Sequence, residues 1–221
     1  MVYGLLAMAV VFALVVANGA ARRRRAGAEQ RKWVAFAAAR GWTYLARAPL
    51  RQDFRFLEVG SGHAAGRGFR LTIADRPCVL YEHIRLDGTG EAPASTRFVV
   101  LVVEGVRPHG DGMRIRAKDY SPIPGPQMRH VELESTELAE RFVVEAPVSM
   151  PIERVREVLT PTAIVDLLTL ANTDCYLGEY AEIGVDALLL ASRGTIDPGD
   201  GDYLDATVAA AAPVVEKLTA R

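Results

Sequence analysis

The chain has 221 residues, with 26 Lys+Arg against 27 Asp+Glu, a formal net charge of -1, and half of it is hydrophobic. That composition excludes intrinsic disorder, and the lack of a basic excess argues against nucleic acid as a partner. Two cysteines, Cys78 and Cys175, are too few for a disulfide framework or a four-thiolate zinc site.

Val2 to Ala21 contains no charged side chain, and Arg22, Arg23, Arg24 and Arg25 follow at once. A helix of that length covers about 30 Å, the thickness of a hydrocarbon core. A buried globular helix would carry a polar stripe. A cleaved signal peptide would place its positive charge before the apolar run and a small-residue cleavage site after it. Neither pattern is present, so residues 1–21 read as an uncleaved transmembrane anchor. The positive-inside rule then sets the four arginines in the cytoplasm and the amino terminus outside. The expected location is the cell membrane, single-pass, with 22–41 a basic juxtamembrane linker and helix and 42–221 a cytoplasmic domain. The arginines fix topology first. Their second possible role is contact with anionic lipid head groups, to which Arg31 and Lys32 could add, at about 1 kcal/mol per basic residue near the surface.

Ala28 to Arg40 reads as a helix, with Trp33, Phe36 and Ala37 on one face and Gly41 as its stop. Trp33 is expected either on the core or at the lipid interface. Trp42 to Leu45 reads as a short strand, and from Arg55 to Glu104 the pattern is one of strands. Phe54 and Phe56 share a side, Phe69, Leu71 and Ile73 alternate with polar residues, and Cys78 to Ile84 forms a further run. Arg97 to Glu104 is nearly all apolar at its centre, as suits a strand covered on both faces. Short turns between these runs favour an antiparallel meander. Further strands are expected at Met113 to Ala117, Val131 to Leu133, Arg141 to Ala146, Cys175 to Gly178 and Ala187 to Ala191, with a proline-rich loop at Pro122 to Pro126. Helices are expected after Pro151, after the Thr160-Pro161 cap, and over Asp202 to Leu218, where Asp202 would cap and Pro213 would bend the helix or remove one bond. The fold class is therefore α+β: a transmembrane helix followed by a mainly antiparallel sheet domain with packed helices.

The chemical motifs are weak. Gly60-Ser61-Gly62-His63-Ala64-Ala65 fits a dinucleotide loop by letter, but Gly66-Arg67-Gly68 and a strand follow where a helix must begin, so it reads as a hairpin. His130-Val131-Glu132 lacks the paired cysteines of a zinc deaminase. The four histidines, His63, His83, His109 and His130, show no ligand spacing. Asp197 to Asp202 lacks the spacing of a calcium loop and reads as a turn. Cys78 falls in an apolar strand, where a buried thiol is inert. No catalytic residue, metal ligand or cofactor is assigned.

Several stretches carry a likeness to known sequences. Arg40-Gly41-Trp42-Thr43-Tyr44 follows the juxtamembrane helix, and Val59-Gly60 with Gly66-Arg67 leads into Phe69 to Ile73. Glu134-Ser135 precedes Arg141-Phe142-Val143-Val144, Leu159-Thr160-Pro161 opens a leucine-rich helix, and Ala187 to Ile196 gives a closing strand and turn. With this layout the chain resembles a family of uncharacterised bacterial membrane-anchored proteins, a domain-of-unknown-function group, from Trp33 onward. The resemblance implies an N-terminal membrane helix joined to a cytoplasmic α+β domain, and no catalytic or ligand residues.

The expected function is a binding or interaction module at the inner face of the membrane. Its expected partners are the lipid bilayer and another membrane or cytoplasmic protein, met through an exposed sheet and the loops Ile84 to Ser95 and Gly110 to Met128. An enzyme with a dispersed site stays open and needs several of His63, His83, His130, Glu132 and Asp174 to converge. A small-ligand sensor stays open too and needs a closed apolar cavity in the sheet.

Overall fold

The computed structural model describes residues 2–49, 51, 54–58, 62–87, 94–105, 112–120, 127–173 and 175–219, with the backbone alone at 2–17, 19, 20, 58 and 87. The first element, α1 (Val2–Ala39), is one unbroken helix. The basic linker expected as a separate unit is thus part of the same rod as the apolar segment before it. Gly41, at φ +67, ends the rod in the left-handed conformation that glycine adopts without strain.

The chain then turns back into β1 (Thr43–Leu45), a short helix α2 (Arg55–Glu58), and the long strands β2 (Gly62–Ile73), β3 (Arg76–Asp87) and β4 (Ala94–Glu104). β5 (Arg114–Ala117), β6 (Met128–His130), α3 (Thr136–Arg141) and β7 (Phe142–Pro147) follow. α4 (Ile152–Val158), α5 (Pro161–Asn172), β8 (Tyr180–Ile183), β9 (Ala187–Arg193) and α6 (Gly201–Thr219) complete the order. Among the described residues nine strands form one sheet, β1-β2-β3-β4-β9-β8-β5-β7-β6, and each neighbouring pair is antiparallel. The α+β class holds, and the meander covers β1 to β4.

The sheet is covered on both faces at its centre. In β4, Val99, Leu101 and Val103 join Leu80 of β3 and Leu188 and Leu190 of β9 in a core roofed by α4, α5, α6 and the end of α1. Phe98, Val100 and Val102 point the other way, into a second cluster with Phe54, Phe56, Leu57, Tyr81, Tyr120 and Tyr180. The apolar run in β4 has this cause, since alternate side chains enter different cores. The exposed sheet expected as a working surface is therefore closed at its centre.

Several local readings are corrected. Arg55–Glu58 is helical rather than extended, because the Glu182 carboxylate accepts from the amides of Arg55 and Phe56, both at 3.0 Å. That anion at the helix start turns Phe56 and Leu57 into the second core. Gly62, Gly66 and Gly68 lie in β2 rather than in a turn, while Gly60 lies outside the described residues; Gly68 is required there, since a Cβ would stand 2.3 Å from the Leu80 carbonyl oxygen. The strand expected at Val131 to Leu133 lies earlier, at Met128–His130, and the one expected at Cys175 to Gly178 lies later, at Tyr180–Ile183. Asp200, not Asp202, caps α6, accepting from the Tyr203 amide at 3.3 Å, and α6 runs on through Pro213. Thr160 caps α5 as expected, with Pro161 at its first position.

Among the described residues no helix is long and apolar enough to cross a membrane. The span expected at 2–21 falls on residues whose side chains, Asn18 and Ala21 apart, lie outside the described set. The loop at Pro122 to Pro126 lies outside it as well.

Trp33 joins the rod to the domain. It is 1% exposed and stacks on Phe69 of β2 at 5.1 Å between ring centroids, which settles it on the core. Replacing Trp33 by Ala should cost about 3–5 kcal/mol, read as a lowered urea midpoint. An unchanged midpoint would mean that the end of α1 is not part of the folded unit.

Candidate functional site

Among the described residues the charged side chains buried in the sheet are Glu82 of β3, which accepts from the Ile196 amide at 3.2 Å and whose carboxyl pKa burial pushes up, and a group on strands β5, β7 and β8. Arg114 of β5 lies 3.5 Å from the Glu182 carboxylate of β8, which also accepts from the Tyr180 hydroxyl at 2.9 Å. Two positions along, Arg116 donates to Glu145 of β7 at 3.2 Å and to the Tyr120 carbonyl at 3.1 Å. His130 completes this group, with Nε2 3.4 Å from Glu145 and its own side chain 71% exposed. Each buried charge here has an opposite charge beside it, as a low-dielectric interior requires. The signal was legible as Arg114-Ile115-Arg116 and Tyr180-Ala181-Glu182, charges alternating with core residues. Sequence reading alone did not show that they face each other.

The residues proposed for a dispersed active site divide. His63 and His83 stack at 6.1 Å between centroids on β2 and β3. His130 and Glu132 line a recess at the other end of the sheet, since β6 stands six places from β3 in the strand order. Asp174 lies outside the described residues, as does His109. The four described side chains do not converge. Among the described residues no group of three or more His, Cys, Asp or Glu could hold a metal ion. Cys78 is buried, its Sγ donates to the Arg76 carbonyl at 3.3 Å, and burial pushes its thiol up to about 12. The remaining void between sheet and α5, lined by Ile115, Leu167 and Tyr180, holds about 10 Å³, room for no more than a water.

Two adjoining recesses lie near strand β6 and helix α3. The first, about 240 Å³, is lined by Lys118, His130, Glu132, Ser135 and Phe142. The second, about 480 Å³, runs between α3 and α5 over Leu133, Leu159, Ile164, Val165 and Leu168, with Glu134, Glu137 and Arg156 at its rim. Leu133 and Ser135 line both. α3 forms one wall because Ser135 caps it, accepting from the Leu138 amide at 3.2 Å, and the sequence reading missed this helix. Its signal was Ser135 two positions before Glu137, a short cap that the strand pattern after it obscured. Val165, 59% exposed, leaves an apolar side chain at the lip. A third recess of about 380 Å³ lies beside Cys175, but its arginines are engaged: Arg141 with Asn172 and the Ala171 carbonyl, Arg193 with Glu179 and Asp119. The groove between α3 and α5 thus has an apolar floor with charged residues beside it.

No family model and no curated protein matches the chain. Its fold is similar to the crystal structure of the mycobacterial trehalose monomycolate transport factor A, TtfA, with a TM-score of 0.56 over 85% of this chain and 94% of that one. The two share 14% identity, so the likeness is one of fold.

His83 gives a test of the second core. It is fully buried against Phe56 and Phe98, with His63 and Arg85 beside it, and among the described residues neither ring nitrogen has a hydrogen-bond partner. Burial lowers its pKa from 6.5 to about 4. The unfolded chain therefore binds this proton first as pH falls, and stability should drop between pH 6.5 and 4 by about 3 kcal/mol. His83→Leu should flatten that part of the pH profile of the urea midpoint. An equal slope in the variant would place the loss elsewhere.

Proposed function

We propose that the chain is a membrane-tethered binding module, single-pass, with its amino terminus outside and its α+β domain at the cytoplasmic face. The observation that carries this reading is the continuity of α1: the helix holding the apolar segment and the four exposed arginines ends inside the core of the domain. Under this reading Arg22, Arg23, Arg24 and Arg25 fix topology and meet anionic head groups, and the bilayer is the first partner. A second protein, of the membrane or the cytoplasm, is the working partner, and the groove between α3 and α5 is the surface assigned to it. The likeness in fold to a trehalose monomycolate transport factor is compatible with a non-catalytic role.

Protease added outside intact cells should leave the domain whole, and protease added to inverted membrane vesicles should digest it. A photo-crosslinking side chain at position 165 should give one discrete adduct in intact membranes, absent when the probe stands at position 185. Digestion from outside would overturn the orientation. Identical adduct patterns from both positions would remove the groove as the contact.

A further inference from the structure

One wall of the α3–α5 groove is charged with a single sign. Residues 132–140 hold four glutamates, Glu132, Glu134, Glu137 and Glu140, and no basic side chain. All four are exposed, and Glu134 and Glu137 line the groove itself. The cations nearby do not balance them. Arg156 of α4 lies 3.9 Å from Glu134, and Arg154 is held by Glu157 at 2.6 Å. Lys118 and His130 line the adjoining recess together with Glu132. With those pairs set aside, Glu137 and Glu140 leave the wall acidic.

The floor is a helix face. Pro161, Ile164, Val165 and Leu168 of α5 lie at i, i+3, i+4 and i+7, the spacing of one apolar stripe. Ile164 and Leu168 belong to the core, whereas Val165 stands 59% exposed. The 12 residues of α5 make about 18 Å of helix, and the groove beside them holds about 480 Å³. That volume is in the range of sites that bury a ligand. Charge separates the possible occupants. An anionic phospholipid would bring its phosphate against the glutamates, where like charges repel. A helix with an apolar stripe and lysines or arginines on its flank would meet them with the opposite sign, and its stripe would match that of α5.

We infer that the groove takes an amphipathic helix of a protein partner, apolar on the face laid against α5 and basic on the flank toward α3. This rests on the assignment of the groove to a protein under the proposed function and names the chemistry of that partner. It does not depend on where α1 sits.

The test uses the full chain and three fluorescent synthetic peptides of about 16 residues, roughly 24 Å of helix. One has a leucine stripe and lysine flanks, the second the same stripe and glutamate flanks, and the third lysine flanks with serines in the stripe. Anisotropy titrations should show the first binding about tenfold tighter than the other two at low salt, with the margin over the second shrinking as salt rises. Glu134→Gln with Glu137→Gln should bring the two leucine peptides within about threefold of each other. Val165→Asp should weaken the first about tenfold, and Val185→Asp, at an exposed position outside the groove, should leave it unchanged. The substituted side chains are all exposed, so the fold does not rest on them. No binding of any peptide, equal affinity of the two leucine peptides, or a lysine preference that survives loss of both glutamates would overturn the basic helix. If position 165 still gives its discrete crosslink in membranes, the groove remains a protein contact and only the chemistry of the partner falls. Binding that ignores Val165→Asp removes the groove itself. A dimer in sedimentation that Val165→Asp splits makes the occupant a second copy of the chain and overturns the inference.

Discussion

The packing of Trp33 between α1 and the sheet decides what this protein can be. Its ring is closed in by Phe69, Tyr44 and the Arg67 guanidinium. Burying an indole removes roughly 150–250 Å² from water, worth about 4–6 kcal/mol at 25 cal/mol per Å². The Glu29–Arg67 pair beside it is half open to solvent, and a pair of that kind contributes under about 1 kcal/mol. Apolar contact therefore holds the rod, and the ion pair sets its rotation. Without that joint the helix would be a leash. With it, the helix sets the orientation of the domain.

The second constraint is inside the sheet. Arg114 and Arg116 leave β5 on the same face, and Glu182 and Glu145 meet them from the strands on either side. Placing these charges in the core gains little net energy over a well-packed apolar set. Their effect is on register. A slip of one residue in β5 would turn both guanidinium groups to the helix-covered face and leave two carboxylates without partners. The chain order of these strands is not their order in space, since β5 lies between β8 and β7. Such a non-sequential edge has alternatives to exclude, and paired charges exclude them. Glu182 does a second task by holding the first turn of α2, so the same carboxylate ties the second aromatic cluster to the sheet.

Much of this was legible from the amino acids. The helix over Ala28 to Arg40, the strand β1, the second half of β2, the strands β3 and β4, the Thr160-Pro161 cap and the long final helix follow from period, cap and turn signals, because each depends on its own few residues. The failures share one cause. Arg55–Glu58 has a strand-like pattern, yet it is helical because a carboxylate 127 residues away in sequence satisfies its amides. The groove was invisible for the same reason: its walls come from α3 and α5, and α3 was hidden behind the strand that follows it. His63 and His83, twenty residues apart, touch through the hairpin, whereas His130 and Glu132 fall at the far edge. Spacing along a chain does not show which strands a meander will separate.

A rigid joint also changes how a tether works. A flexible linker raises the local concentration of a domain but lets it present any face. Here the domain loses that freedom when it folds, since α1 continues into its core and Arg40 of the rod's last turn grips Asp205 of α6 from the side. The ordering cost is met during folding rather than at each encounter. On the proposed reading a partner would meet one fixed surface; β1, which packs on the rod, and β6 stand at opposite edges of the sheet. The joint with α1 lies at the β1–β2 edge of the sheet and the β6 recess at the opposite edge, so neither occupies the other's surface.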